Sequence, residues 1–227
     1  MDDQLFKFIN KQSFPCIMAK AVMKRGRVDC IKLPDMLDSE MILHHMYKFI
    51  DQFKLQPEKL SSLIFQFTDE RLLDFETFEE KFWNLLRNLS ALDRKLYAHD
   101  ERVDDNPDSP RFSFSIMAEA FFILALHPQS ARVARRFHQP LIVFNPHIQF
   151  EQMRQKKIFN KIRNLIRKKD KQLQPEANPM LSDFGESSEV FQYLGKAYPA
   201  NAVNPLLIKE EEVLWKSFSP DMGQVSL

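Results

Sequence analysis

The residues best suited to chemistry cluster between His127 and Asp170. His127-Pro128 closes the most apolar run of the chain, Ala118 to Leu126, which puts the imidazole at the rim of a core. A neutral ring there can bind haem iron or another transition metal, or exchange a proton near neutral pH. A histidine that only shapes a turn through a hydrogen bond satisfies the same pattern. His138 and His147 add imidazoles nearby, without a recognised metal-ligand spacing. Arg132, Arg135 and Arg136 follow directly. On one helical face their forked guanidinium groups can grip two carboxylates or phosphates, and an ion-paired surface turn is the plainer alternative. A haem with two propionates and a phosphorylated ligand ask for much the same set, so the residues alone leave that choice open.

Two further groups carry charge. Between Asn178 and Glu189, the acids Asp183, Glu186 and Glu189 can hold a guanidinium or ammonium group, or cap a short helix together with Ser187 or Ser188. From Arg154 to Lys171, nine basic residues meet few acids, a pattern that can follow a nucleic-acid backbone. They surround an apolar stripe, however, so a solvated outer face of a core helix is the expected role and nucleic acid is not expected as a partner.

These side chains need elements to hold them. Phe14 to Val22 and Val28 to Leu33 read as short strands ended by Pro34. Asp38 or Ser39 caps a helix to about Phe53, and Leu60 to Phe67 reads as a buried strand. Asp74 opens an amphipathic helix in which Phe75, Phe78, Phe82, Leu85, Leu86 and Leu89 follow a helical rhythm. His99 to Arg111 is polar and proline-punctuated, as exposed loops are. Phe112 to Ile116 and Ala118 to Leu126 suggest neighbouring strands, and Leu141 to Phe144 another. One long helix is predicted from Gln149 to Leu173, followed by a proline-rich tail with little regular structure. The expected fold is α+β, a single domain over 1–227 with a mixed or antiparallel sheet, helices packed on it, and an irregular tail over 196–227.

Composition narrows the classes. The 227 residues, 44% hydrophobic, are ample for a core. A formal net charge of +1 gives no global field to select nucleic acid or an anionic membrane. Four glycines and the absence of G-x-G-x-x-G or G-x-x-x-x-G-K-[ST] remove the usual nucleotide-binding loops. H-E-x-x-H, C-x-x-C and G-x-S-x-G are absent too. Two cysteines, no signal-like start and no membrane-length apolar run lead to the expectation of a cytoplasmic protein without a membrane partner.

In order along the chain stand Phe14-Pro15-Cys16 with Ala19-Lys20, His127-Pro128-Gln129-Ser130-Ala131-Arg132 with Ala134-Arg135-Arg136-Phe137, and Phe144-Asn145-Pro146-His147 with Gln149-Phe150-Glu151. Ile166-Arg167 with Asp170, Asn178-Pro179-Met180-Leu181 with Asp183-Phe184-Gly185-Glu186, and Ser188-Glu189 with Gln192-Tyr193 and Gly195 follow. This series resembles the YqcI/YcgG family, the FPC/CPF-motif proteins, over most of the chain. It departs where the family usually has Gly-Arg and a terminal Cys-Pro-Phe, since here stand Gly195-Lys196 and Asn204-Pro205-Leu206.

The resemblance implies a haem-dependent N-oxygenase with b-type haem (heme b), acting on a guanidino or amino substrate with dioxygen or peroxide. An electron donor of unidentified type and a homodimer are further expectations, separate from the resemblance. His127 is then the first choice of axial iron ligand and His147 the second. Cys16 is the thiolate alternative, although a cysteine in an apolar run is most often a small core residue. Arg132, Arg135 and Arg136 would bind propionates, and Asp183, Glu186, Glu189 and Asn145 are the catalytic or substrate-orienting candidates.

Overall fold

The computed structural model describes residues 3–25, 27–70, 73–176, 178 and 180–207. A five-stranded mixed sheet forms its centre: β1 (Val28–Leu33), β2 (Ser62–Phe67), β3 (Phe114–Ile116), β4 (Glu119–Leu126) and β5 (Leu141–Pro146), in the order β1-β2-β5-β4-β3. Only β1 and β2 run parallel; the other neighbours are antiparallel. β1 and β2 are joined through helix α3 (Ser39–Lys54), as parallel neighbours require a crossover. Among the described residues six α-helices accompany the sheet: α1 (Asp3–Asn10), α2 (Ile17–Lys24), α3, α4 (Phe75–Asp93), α5 (Ile148–Gln155) and α6 (Phe159–Leu173). The α+β expectation with a mixed sheet holds.

The two-residue period of the strands sorts their side chains onto two faces. Leu63, Phe65 and Phe67 of β2, Phe121 and Ile123 of β4, and Phe144 of β5 meet α3 and α4 in one large cluster. Both helices start where aspartates accept backbone N–H groups: Asp38 from Met41 and Asp74 from Thr77, each at 2.8 Å. Phe78, Phe82, Leu86 and Leu89 of α4 have no measurable exposure, and full burial of each contributes roughly 1.5–3 kcal/mol. The alternate residues, Ile64 of β2, Val143 and Leu141 of β5 and Leu126 of β4, point to the opposite face, where a smaller cluster forms with Leu5, Ile9 and Met23 of α1 and α2.

Three local expectations are corrected. Phe14 to Val22 is not a strand, because Cys16 caps α2 by accepting the Ala19 N–H at 3.3 Å, and the Ala, Met and Lys residues beyond it are strong helix formers. Helix α1 had no counterpart in the expected elements.

The long helix is two helices, α5 and α6. The Lys157 N–H bonds the Arg154 carbonyl at 2.9 Å, the Ile158 N–H bonds the Met153 carbonyl at 3.0 Å, and Lys157 itself is left-handed at φ 57°. That is a Schellman ending with lysine in the place usually taken by glycine. Residues 196–207 contain no helix or strand, and the remainder of the expected tail lies outside the described residues.

Candidate functional site

The second face of the sheet is covered incompletely. Between it and helices α1, α2, α5 and α6 lies a cavity of about 400 Å³, within the usual range for small-molecule sites. Its floor is built from the outward register of three strands, with Ile64, Leu124 and Val143 at the centre. Helix α6 forms one wall. It is amphipathic, yet none of its residues is fully buried, because Ile162 and Ile166 face open space instead of a packed neighbour. The Schellman break before Phe159 sets this helix off from α5, so the backbone turn at Lys157 helps to shape the cavity.

Polar groups enter this apolar space at few points. His147, in the turn between β5 and α5, is buried, packs its ring 4.6 Å from that of Phe184, and has Glu151 Oε1 3.9 Å from Nδ1. Burial, with the charges of Arg154 and Arg102 in support, pulls its pKa down to about 4, so the imidazole is neutral over the physiological range.

Glu189, in the 3-10 turn Glu189–Gln192, is buried in the wall. Its Oε1 accepts both the Tyr193 hydroxyl at 2.6 Å and the Ser113 hydroxyl at 2.9 Å. Burial outweighs these bonds and raises the carboxyl to about 8. Asn145 sits beside them on the sheet, accepting the Ser62 hydroxyl at 2.7 Å and donating to the Phe122 carbonyl at 3.2 Å.

Arginines supply the positive charge. Arg132 is buried and pairs with Asp170 at 2.5 Å. Arg135 donates to the backbone carbonyls of Tyr193 and Gln192, and no carboxylate among the described residues is within ion-pair distance of it. Burial lowers its pKa to about 10, which still leaves it charged. Gly195 permits this arrangement: its φ is 67°, and a Cβ there would come within 2.7 Å of Arg135 Nε. Arg163 and Arg167 of α6 both bind Asp183, the latter at 2.9 Å, and Arg167 Nε is buried without a hydrogen-bond partner among the described residues. Arg154 lies over the rings of Phe159 and Phe184, 4.5 and 5.6 Å from their centres.

The structure therefore gathers Cys16, Arg132, Arg135, Asn145, His147, Asp183 and Glu189 around one cavity and leaves three other candidates outside it. His127 is fully buried on the α4 side, stacked 4.8 Å from Phe78, with Nδ1 accepting the Gln129 N–H at 3.2 Å. That bond leaves the proton to Nε2, which is buried and takes no hydrogen-bond partner among the described residues. Arg136 is exposed and donates to the Ser130 carbonyl at 2.8 Å. Glu186 is exposed and accepts the Asp183 N–H at 2.9 Å within a turn, while Ser188 caps the following 3-10 turn by accepting the Val190 N–H at 3.4 Å.

The expected helical face of arginines is also revised, since only Val133–Arg135 forms a single 3-10 turn and the three side chains diverge. Cys16 serves as the α2 cap, and burial pushes its thiol up, away from the thiolate form. Arg154, Arg163 and Arg167 were missed as site residues. Their signal was present: Arg163 and Arg167 are one turn apart beside the apolar Ile162 and Ile166, hence on the inward side of the helix.

Among the described residues no three His, Cys, Asp or Glu side chains converge on a site for a bare metal ion, and no helix is long and apolar enough to cross a membrane. The site thus defines an α+β protein with an apolar small-molecule cavity bordered by a neutral imidazole, a buried carboxyl and several guanidinium groups. The chain belongs to the YqcI/YcgG family, whose model matches residues 5–206. Among curated proteins it is similar to the "Uncharacterized protein YcgG" of Bacillus subtilis (strain 168), 33% identical over 100 residues. That match takes in 42% of this chain and 39% of the relative, so it spans about two fifths of the curated protein's length. No solved structure matches.

Proposed function

We propose that the cavity binds b-type haem and that the protein is a haem-dependent oxygenase, hydroxylating a guanidino or amino nitrogen of an amino-acid-like small molecule. The observation that carries this reading is the joint presence, around one apolar cavity, of a neutral imidazole, a guanidinium with no carboxylate partner among the described residues and a buried carboxyl. The donor set fits the group. His147 offers a neutral nitrogen for iron, Arg135 with Arg132 offers charge for propionates, and Ile162, Ile166, Leu124 and Val143 offer apolar surface for the ring. His147 thus displaces His127 as the preferred ligand.

When bound, haem would supply oxidant activation: one oxygen atom enters the N–H bond, and with dioxygen two electrons and two protons reduce the other atom to water. The chain's own residues define the surroundings. Glu189 Oε1 is occupied by the hydroxyls of Tyr193 and Ser113, and Oε2 takes no hydrogen bond among the described residues. A guanidinium or ammonium group brought to Oε2 stabilises the carboxylate and expels the carboxyl proton. The site therefore exchanges a proton for a cationic substrate, and the substrate's charge decides the protonation state of Glu189. The apolar floor limits water around the reacting nitrogen, and Asn145 provides a further fixed dipole beside it.

The test is the absorption spectrum of protein produced with ample haem, beside His147→Ala, His127→Ala and Cys16→Ala. A Soret band whose ligand field changes only in His147→Ala is expected. Absence of a Soret band, together with no saturable change on hemin titration, would overturn the reading. Product mass spectrometry with guanidino compounds then separates turnover from haem binding alone.

A further inference from the structure

Helix α6 has two faces with different charge. Inward it presents Ile162, Arg163, Ile166, Arg167 and Asp170 to the cavity. Outward it presents Lys161, Lys168 and Lys171, with Lys157 just before the helix, all exposed and none in an ion pair among the described residues. The two acids nearby are turned away from this stripe, Asp170 to Arg132 and Glu151 to Arg154. A merely solvated helix mixes signs, since opposite charges one turn apart stabilise it and like charges do the reverse. Here Lys168 and Lys171 are like charges three residues apart on one helix, Lys161 sits near the helix N-terminus where a cation is unfavourable, and no side chain among the described residues caps that end. The lysine stripe stands on a chain whose net charge is only +1, so it is a local concentration of positive charge.

We propose that this outward face of α6 docks an acidic electron-donor protein. The proposal rests on the haem-oxygenase reading, which requires two electrons per turnover when dioxygen is the oxidant, and which sets the kind of partner. Position favours it, because only the thickness of one helix, about 10 Å, separates the lysine face from the cavity. Composition favours a protein partner over other polyanions. Leu165 and Ile158 stand 41% and 42% exposed among the lysines, giving an apolar centre with a charged rim. Nucleic-acid faces add forked guanidinium groups to their lysines, whereas both arginines of α6 are turned inward to Asp183. A membrane-surface helix needs its broad apolar face outward, whereas Ile162 and Ile166 face the cavity.

The experiment measures binding of an acidic plant-type ferredoxin to the full chain by interferometry at about 20 mM and about 150 mM ionic strength. The comparison variants are Lys161→Glu/Lys168→Glu and, as a control at the end of α4, the exposed Lys95→Glu. Expected are saturable binding at low salt, about tenfold or greater weakening at the higher salt, a similar loss in the double variant at low salt, and no change in Lys95→Glu. Absence of binding at low salt, or equal binding to the double variant, would overturn the proposal. So would tighter lysine-dependent binding of anionic phosphatidylglycerol vesicles or of duplex DNA than of the ferredoxin. This readout contains no haem signal. A missing Soret band therefore sinks the cavity reading without imitating a docking failure, and a docking failure leaves the Soret band in place.

Discussion

The two faces of the sheet use similar residues to different ends. On the α3–α4 face, aromatic and aliphatic side chains interlock: Phe65 meets Phe144 with ring centres 5.9 Å apart, and Phe78, Phe82 and Leu86 fill the layer above them. On the other face the alternate residues of the same strands, Ile64, Leu124 and Val143, look across an open cavity at Ile162 and Ile166. The first face converts apolar area into stability. The second leaves part of that area uncovered, and the polar groups bordering it are ones a packed core would exclude. A strand pattern shows which residues share a face; it does not show whether the face is filled.

The widest separation between the faces is in truncation. Phe82→Ala on the packed side should lower unfolding free energy by about 3–5 kcal/mol, through lost transfer energy and a new void. Ile162→Ala at the cavity wall should cost under about 1 kcal/mol, since that side chain already lacks partners on one side, while weakening hemin binding. Urea titration and hemin titration on both variants check the pair. Similar stability losses would mean that the two faces do not differ as described.

Proton linkage sharpens the contrast. Glu189 is raised from 4.5 to about 8, so the native state holds a proton that the unfolded state has lost. Stability should therefore fall between pH 4.5 and 8, by at most about 1.4 kcal/mol per pH unit from this group. His147 is lowered from 6.5 to about 4 and acts in the opposite sense: its contribution is complete above pH 6.5 and is lost on acidification towards 4. Glu189→Gln should flatten the decline on the alkaline side, and His147→Gln the decline on the acid side, in denaturation profiles measured from pH 4 to 9. Binding of a guanidino substrate should release a proton below pH 8 in the native protein and none in Glu189→Gln, which calorimetry in buffers of different ionisation enthalpy reads directly.

Gly195 joins the two regions, because the backbone it terminates carries Tyr193 on the packed side and accepts Arg135 on the cavity side. Gly195→Ala should cost about 1–2 kcal/mol from its left-handed backbone and from displacing the Arg135 guanidinium. Hemin affinity should fall with it, whereas Arg136→Ala, exposed and outside the cavity, should leave that affinity unchanged.

Much of the packed face was legible in the sequence. Asp38 and Asp74 announced their helices, the helical rhythm from Phe75 to Leu89 identified the buried side of α4, and the run Leu60 to Phe67 marked the fully buried strand β2. The cavity face was legible only in part. Its α5–α6 break carries no glycine or proline, because Lys157 occupies the left-handed position that would have signalled it. His127 looked stronger than His147 because it ends a longer apolar run, but apolarity before a histidine does not say on which side of the sheet the ring emerges. The pairing of Arg163 and Arg167 with Asp183 joins residues far apart in the chain, and only the fold brings them together.

The smallest effect concerns the hairpin that holds the sheet edge. Ile116 pairs with Glu119, and the two residues between them, Met117 and Ala118, have φ of 53° and 54°. This is the geometry of a type I′ turn, which favours Asn-Gly and is strained for Met and Ala. The Met117 N–H is held by the Asp93 carboxylate at 3.0 and 3.1 Å, so the packed helix α4 fixes a turn that its own residues disfavour. Ala118→Gly should raise stability by roughly 0.5–1 kcal/mol and leave hemin affinity unchanged, because the strain belongs to the packed side alone. A gain in stability accompanied by altered hemin affinity would show instead that the β3–β4 edge transmits strain to the cavity, and the two faces would then be coupled through the hairpin.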